Sequence, residues 1–150
     1  MKAVVQRVKN AQVVVEGRIV GLIDKGLLVL LGISSSDGVS ECDWLAEKIV
    51  NMRIFSDDKG KMNFSVKDLQ YQIIVVSQFT LYGNCLAGRR PDFLQAASSE
   101  VAEPLYSYFV SALENLLGYP VPTGSFGDKM EVHSVGDGPV TLLIENPLRR

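Results

Sequence analysis

The chain has 150 residues, 47 % of them apolar and 21 % charged, which is enough for one domain with a substantial core. A formal net charge of −2 excludes a molecule that attracts polyanions over its whole surface, so nucleic-acid binding would need a local basic patch. The two cysteines, Cys42 and Cys85, form no CxxC or Cys/His cluster; this excludes a zinc motif and fits free thiols.

Met1 to Asn10 contains no long apolar core, so no signal peptide is expected, and Leu27 to Leu31 is far too short to span a membrane. A cytoplasmic location and no membrane association are expected. Ala3 to Val8 and Val13 to Val15 read as two strands separated by Lys9-Asn10-Ala11-Gln12. Glu16-Gly17 is a turn signal before a short return strand, Arg18 to Gly21. Gly26 to Gly32 is apolar on both faces and predicts a strand covered on both sides.

Cys42, Leu45, Ala46, Ile49 and Val50 repeat with helical spacing, predicting a helix from about Ser40 to Met52. Arg53 to Phe55 reads as a short strand, followed by a turn at Asp57-Asp58-Lys59-Gly60. Ile73 to Leu81 reads as a second buried strand. Asn84 to Phe93 is a loop. Leu105, Phe109, Ala112, Leu113 and Leu116 mark a second helix that Pro104 should kink or begin and Gly118 should end. Tyr119 to Gly124, with two prolines, is irregular. Met130 to Val135 and Val140 to Glu145 read as strands flanking Gly136-Asp137-Gly138-Pro139, and Arg149-Arg150 as a basic tail. The expected fold is a single domain over residues 1–150 of α/β composition and α+β type. Its sheet is mostly antiparallel and curved toward a barrel, with about seven strands and two helices packed outside.

Three stretches carry candidate chemistry. Ser77-Gln78-Phe79-Thr80 puts polar groups at the mouth of an apolar strand; hydroxyls there can be nucleophiles or can cap the strand end, and composition favours capping. The sequence holds one histidine, His133, and no G-x-S-x-G elbow. Gly138-Pro139 starts the last strand; a trans bond is the ordinary expectation, a cis bond the functional one. Gly88-Arg89-Arg90-Pro91 is a compact basic loop, suited either to a solvated surface or to phosphate contacts.

These signals occur together with Ala3-Val4-Val5-Gln6-Arg7-Val8, Gly26 to Gly32, Arg53-Ile54-Phe55-Ser56-Asp57, Arg90-Pro91-Asp92-Phe93, Thr123-Gly124-Ser125-Phe126-Gly127 and Gly138-Pro139-Val140-Thr141. In that order, from Met1 to about Glu145, the chain resembles the D-aminoacyl-tRNA deacylases of the bacterial and eukaryotic type. The resemblance implies hydrolysis of the ester between a D-amino acid and the terminal adenosine of tRNA, a chirality check in translation quality control. It implies a homodimer, no metal or organic cofactor, and a cis Gly138–Pro139 bond that enters the partner's site. It places Ser77, Gln78, Phe79 and Thr80 in the catalytic pocket and Phe126 and Met130 around the adenine. Arg7, Arg89 and Arg90, with Lys59 and Lys61, are candidates for tRNA contacts. The other readings are a small-molecule esterase with Thr80 or Ser77 as nucleophile, a tRNA-binding module without catalysis, and a purely structural dimer.

Overall fold

A computed structural model describes residues 1–147, so the Arg149-Arg150 tail lies outside the described residues. Within them the chain forms seven strands, two α-helices and one 3-10 turn. The strands are β1 (Lys2–Val15), β2 (Arg18–Ile23), β3 (Gly26–Gly32), β4 (Phe55–Ser56), β5 (Met62–Phe64), β6 (Gln72–Ser77) and β7 (Glu131–Glu145). The helices are α1 (Val39–Asn51) and α2 (Ser99–Leu117). The main sheet runs β2-β1-β3-β6, with β7 along the other side of β1, and β4 and β5 form a separate hairpin. β3 and β6 pair in parallel; the other pairs are antiparallel, which gives a curled half-barrel of α+β type.

The two apolar runs become neighbouring strands at the centre, as a parallel pair buried on both faces should. Leu27, Val29, Leu31, Ile73 and Val75 pack toward the helices, with Leu45, Ile49, Phe109 and Leu113. Leu28, Ile74 and Val76 point the other way, against Val8, Ala11, Val13 and Ile23. That second contact is the curl: the far half of β1 and β2 fold back over the sheet. Gly21 permits it, because a Cβ there would stand 2.4 Å from the Thr123 carbonyl oxygen.

α1 buries Cys42, Leu45, Ala46, Ile49 and Val50, the five residues the periodicity picks out. α2 buries Ala102, Tyr106, Phe109 and Leu113 and ends at Gly118 in the left-handed region (φ 85°), where glycine carries no Cβ penalty. Pro104 lies inside α2 rather than at its start. It falls in the second helical turn, where its missing N–H removes a bond back to Glu100.

Three expectations are corrected. The Lys9 to Gln12 break does not exist: β1 is one strand, because β7 pairs with it from Lys2 to Val14. The two C-terminal strands are one, β7, with Gly136 to Pro139 inside it. The second apolar strand stops at Ser77, and Phe79–Tyr82 turns as a 3-10 helix. The β5 strand had no apolar run to announce it.

Candidate active site

Gly138-Pro139 sits in a bulge. Gln6 pairs with Thr141 and Val8 with Gly136, so Arg7 alone faces the four residues Asp137 to Val140. The Gly138–Pro139 bond is cis. Gly138 and Pro139 are both exposed. Arg7 holds the base of the bulge: its Nε donates to the Asp137 carbonyl at 2.9 Å and lies 3.3 Å from that residue's carboxylate, and its Nη1 donates to the Ile54 carbonyl at 2.7 Å. Its guanidinium is thus engaged within the chain. Gly138 has no room for a side chain, since a Cβ would meet the Val140 nitrogen at 2.3 Å.

The polar cluster forms where β6 ends. Leu31 pairs with Ser77, and the Gln78 N–H donates to the Leu31 carbonyl at 2.7 Å, which carries the parallel pairing one residue past the strand. The chain then turns over Gly32; a Cβ there would lie 3.0 Å from the Leu81 Cβ. The first internal bond of the turn runs from the Leu81 N–H to the Gln78 carbonyl at 3.2 Å. The N–H groups of Phe79 and Thr80 stand ahead of it, as donors do at the start of any helical turn. The Gln78 side-chain amide donates to the Thr80 hydroxyl. The Phe79 ring is 55 % exposed, with its centroid 5.2 Å from that of Phe93 in an edge-on contact.

Phe126 and Met130 lie on the segment that covers the other edge of β6. The Val75 N–H donates to the Pro122 carbonyl at 3.1 Å and the Gly124 N–H to the Val75 carbonyl at 2.9 Å. The Tyr106 hydroxyl also donates to the Val75 carbonyl, at 2.9 Å, and Phe126 packs on the Tyr106 ring at 5.5 Å. The Met130 sulfur accepts from the Ser125 N–H at 3.3 Å. Burial pushes the Tyr106 phenol up to about 12, so it is a structural hydroxyl at neutral pH.

Ser77 to Thr80 thus follow the end of β6, and the stretch leading into Phe126 and Met130 lies along β6 at Val75, two residues before Ser77. Gly138-Pro139 lies elsewhere. Its strand is separated from β6 by β1 and β3, and Arg7 lies level with Leu27 and Ile73, four residues short of Ser77. Strand spacing and rise put the bulge on the order of 15–20 Å from the polar turn of the same chain. His133 is also apart: it lies on β7 with its ring 3.2 Å from the Glu131 carboxylate. Among the described residues no hydrogen bond joins His133 to Ser77 or Thr80, and no group of three His, Cys, Asp or Glu is placed to hold a metal. Arg89 and Arg90 are exposed on the loop after the turn, and Lys59 and Lys61 belong to the β4–β5 hairpin and its turn.

The sequence profile described as D-Tyr-tRNA(Tyr) deacylase matches residues 4–145. The chain belongs to this family. A relative named D-aminoacyl-tRNA deacylase from Geobacter sp. (strain M21) is 53 % identical over 100 % of both chains. Another of that name, from Halalkalibacterium halodurans, is 56 % identical over 97 % of this chain and 99 % of its own. Among solved structures, one described as "c-Myc DNA Unwinding Element Binding Protein" superposes with a TM-score of 0.92 at 44 % identity, covering 99 % of this chain and 100 % of that one. One described as a probable eukaryotic D-amino acid tRNA deacylase shares the fold, with a TM-score of 0.83 at 17 % identity over 95 % of this chain and 97 % of that one. Sequence reasoning missed Arg7 as the anchor of the bulge and Phe93 as the partner of Phe79. The only local signal for Arg7 is a charge where a strand's apolar alternation breaks.

Proposed function

We propose that this chain hydrolyses the ester linking a D-amino acid to the terminal adenosine of tRNA, releasing the free amino acid and tRNA. The observation that carries the reading is full-length similarity, at half identity or more, to relatives named for that reaction. Work on charged tRNA would place the protein in the cytoplasm; no described helix is long and apolar enough to cross a membrane.

The working unit is proposed to be a homodimer in which Gly138-Pro139 of one copy enters the other's Ser77–Thr80 site. Two observations support this. Within one chain β1 and β3 lie between the bulge's strand and β6, and strand spacing puts the bulge roughly 15–20 Å from the turn. The sheet surface at β7 is also left apolar and uncovered, with Leu143 67 % exposed and Val132, Val135 and Leu142 also exposed.

The proposed chemistry is mostly backbone chemistry. D and L esters share the same ammonium and acyl groups and differ in where hydrogen and side chain point. A fixed main-chain oxygen at the Gly138-Pro139 bulge occupies space that only the hydrogen tolerates, so an L side chain clashes and D side chains of many kinds point outward. Arg7, bonded to both the bulge and Ile54, keeps that oxygen in place. Glycine offers no side chain to exclude, so glycyl-tRNA is a slow substrate in this scheme. The amides of Phe79 and Thr80 receive the developing oxyanion, and removing such a donor typically costs on the order of 100-fold in rate. The 2′-hydroxyl of the terminal ribose orients the attacking water. Phe126 and Met130 enclose the adenine, and Thr80 positions rather than attacks.

The test compares matched D- and L-aminoacyl-tRNA with the purified chain. Hydrolysis of the D ester alone is expected, and it should be very slow with a 2′-deoxy terminal adenosine. The description of the 44 %-identical neighbour favours a second reading, a nucleic-acid-binding module without catalysis. Binding of D-aminoacyl-tRNA without loss of the amino acid would favour that reading. Turnover of simple esters lacking any RNA, with a trapped acyl–Thr80, would favour the nucleophile reading.

A further inference from the structure

The loop that follows the polar turn has an order of its own that the ester chemistry does not use. Asn84 and Asp92 close its neck through paired backbone bonds of 2.8 and 3.1 Å. The Asn84 side chain accepts from the Leu86 N–H at 3.1 Å, and that of Asp92 from the Leu94 N–H at 3.3 Å, so both ends are fixed by side chain–backbone turns. The loop is also pinned to the turn: Phe93 sits edge-on to Phe79, and Gly83 passes so close that a Cβ would meet the Phe93 ring at 3.0 Å. Beyond Phe93, the Ala97 N–H donates to the Ile33 carbonyl at 2.9 Å, which ties the exit limb to the end of β3.

What this frame holds up is open to solvent. Residues 84–91 are all exposed, and Leu86 reaches 97 %. Arg89 and Arg90 share this tip, and among the described residues no carboxylate lies within ion-pair distance of either. The nearest carboxylate in sequence, Asp92, is committed to the loop neck. A frame fastened at both ends, presenting two adjacent guanidinium forks and an apolar side chain next to a site for a nucleotide, suits a single-stranded polynucleotide. The forks match phosphate oxygens and Leu86 matches a base face.

We infer that loop 84–92 is a second RNA-binding element: it grips the phosphates of the nucleotides that precede the terminal adenosine, through Arg89 and Arg90. The inference rests on the proposed RNA substrate and deepens it. It also answers how a chain of net charge −2 holds a polyanion. The attraction is local, on a loop mechanically joined to the reacting turn through Phe93 and Phe79. Arg7 takes no part in it.

The test uses the full-length chain and an uncharged RNA minihelix ending in single-stranded CCA, with binding followed by fluorescence anisotropy between roughly 50 and 200 mM salt. The Arg89→Gln/Arg90→Gln double variant is expected to bind about tenfold more weakly at the low-salt end, with a salt slope shallower by about 1.4 for two lost phosphate contacts on a single strand. The Arg89→Lys/Arg90→Lys variant should recover most of the slope, since the charge is kept. Melting temperatures within a degree or so of wild type would show that both variants fold. Unchanged affinity and slope in the glutamine variant overturn the inference. So does the absence of measurable RNA binding by wild type, or a loss seen only with single-stranded DNA. The readout is separate from catalysis. A wild-type chain that grips the RNA through these arginines but leaves the D-aminoacyl ester intact sinks the deacylase reading alone. Normal hydrolysis with RNA binding indifferent to them sinks this one.

Discussion

Thr80 accepts a hydrogen bond from Gln78 and has no histidine hydrogen-bonded to it among the described residues. A hydroxyl so placed orients a neighbour more readily than it attacks. Thr80→Ala should therefore slow D-aminoacyl-tRNA hydrolysis by about tenfold, the worth of one hydrogen bond of ~1.4 kcal/mol, and leave measurable turnover in single-turnover assays. Arg7 is the more demanding position. It satisfies two carbonyls on different elements, Asp137 on β7 and Ile54 before β4, and a lysine's single ammonium cannot span them as the guanidinium fork does. Arg7→Lys is expected to lower the D-over-L rate ratio while binding of uncharged RNA stays at wild-type level; an unchanged ratio would separate the bulge from chirality. The two cysteines differ in a way composition does not show. Burial, followed by the nearby Asp37, pushes the Cys42 thiol up to about 12, while Cys85 is exposed in the loop. A thiolate reagent should modify Cys85 alone in the folded protein and both after denaturation, as counted by mass spectrometry.

At the scale of elements, the helices were legible because their signals are local. The five α1 core residues repeat at helical spacing, and Gly118 ends α2 as a left-handed cap. The strands were harder, because a strand's length depends on what pairs with it. Lys9 and Asn10 look like a break, yet β7 pairs with Val8 and with Asn10 on either side of an irregularity at Lys9, and β1 runs through. The polar turn shows the reverse case. Phe79-Thr80-Leu81 has the composition of a strand, but Gly32 leaves room for the chain to fold over β3 as a 3-10 turn. Tyr106 ties α2 to this region through the Val75 carbonyl. Its phenol is raised from 10 to about 12 by burial, against a hydrogen bond from Thr123 that lowers it. The folded state holds that proton more tightly than the unfolded chain does. This contribution to stability is complete below pH 10 and is lost as pH rises toward 12. Tyr106→Phe should cost about 1 kcal/mol at neutral pH and flatten the alkaline decline in urea-unfolding free energy.

On the scale of the whole molecule, the separation of bulge and turn makes a dimer testable by complementation. Gly138→Ala pushes a methyl group into the Val140 nitrogen and should disable only the lent element. Thr80→Ala combined with Gln78→Ala should impair only the receiving site. Mixed one to one and reassembled, the two should recover about one-quarter of the wild-type sites, because random pairing makes about half the dimers mixed and each mixed dimer holds one intact site. No recovery above the sum of the separate variants would place both elements in one chain's site. Leu143→Glu, on the exposed face of β7, should shift the protein toward monomer in sedimentation and reduce hydrolysis in parallel.

The amino-acid order by itself determined the helices, the two buried central strands, the class of the fold and, through motifs distributed along the whole chain, the family. These follow from periodicity, from runs too apolar to face water, and from residue types that recur together. Tertiary structure decided that the Gly138–Pro139 bond, cis, lies within a four-residue bulge in the middle of β7, that Arg7 braces that bulge, and that β1 and β3 lie between it and the strand leading to the polar turn. Each of these depends on pairings between residues far apart in the chain, such as Gln6 with Thr141, 135 positions away. No local propensity encodes such distances, and only the closed sheet fixes them.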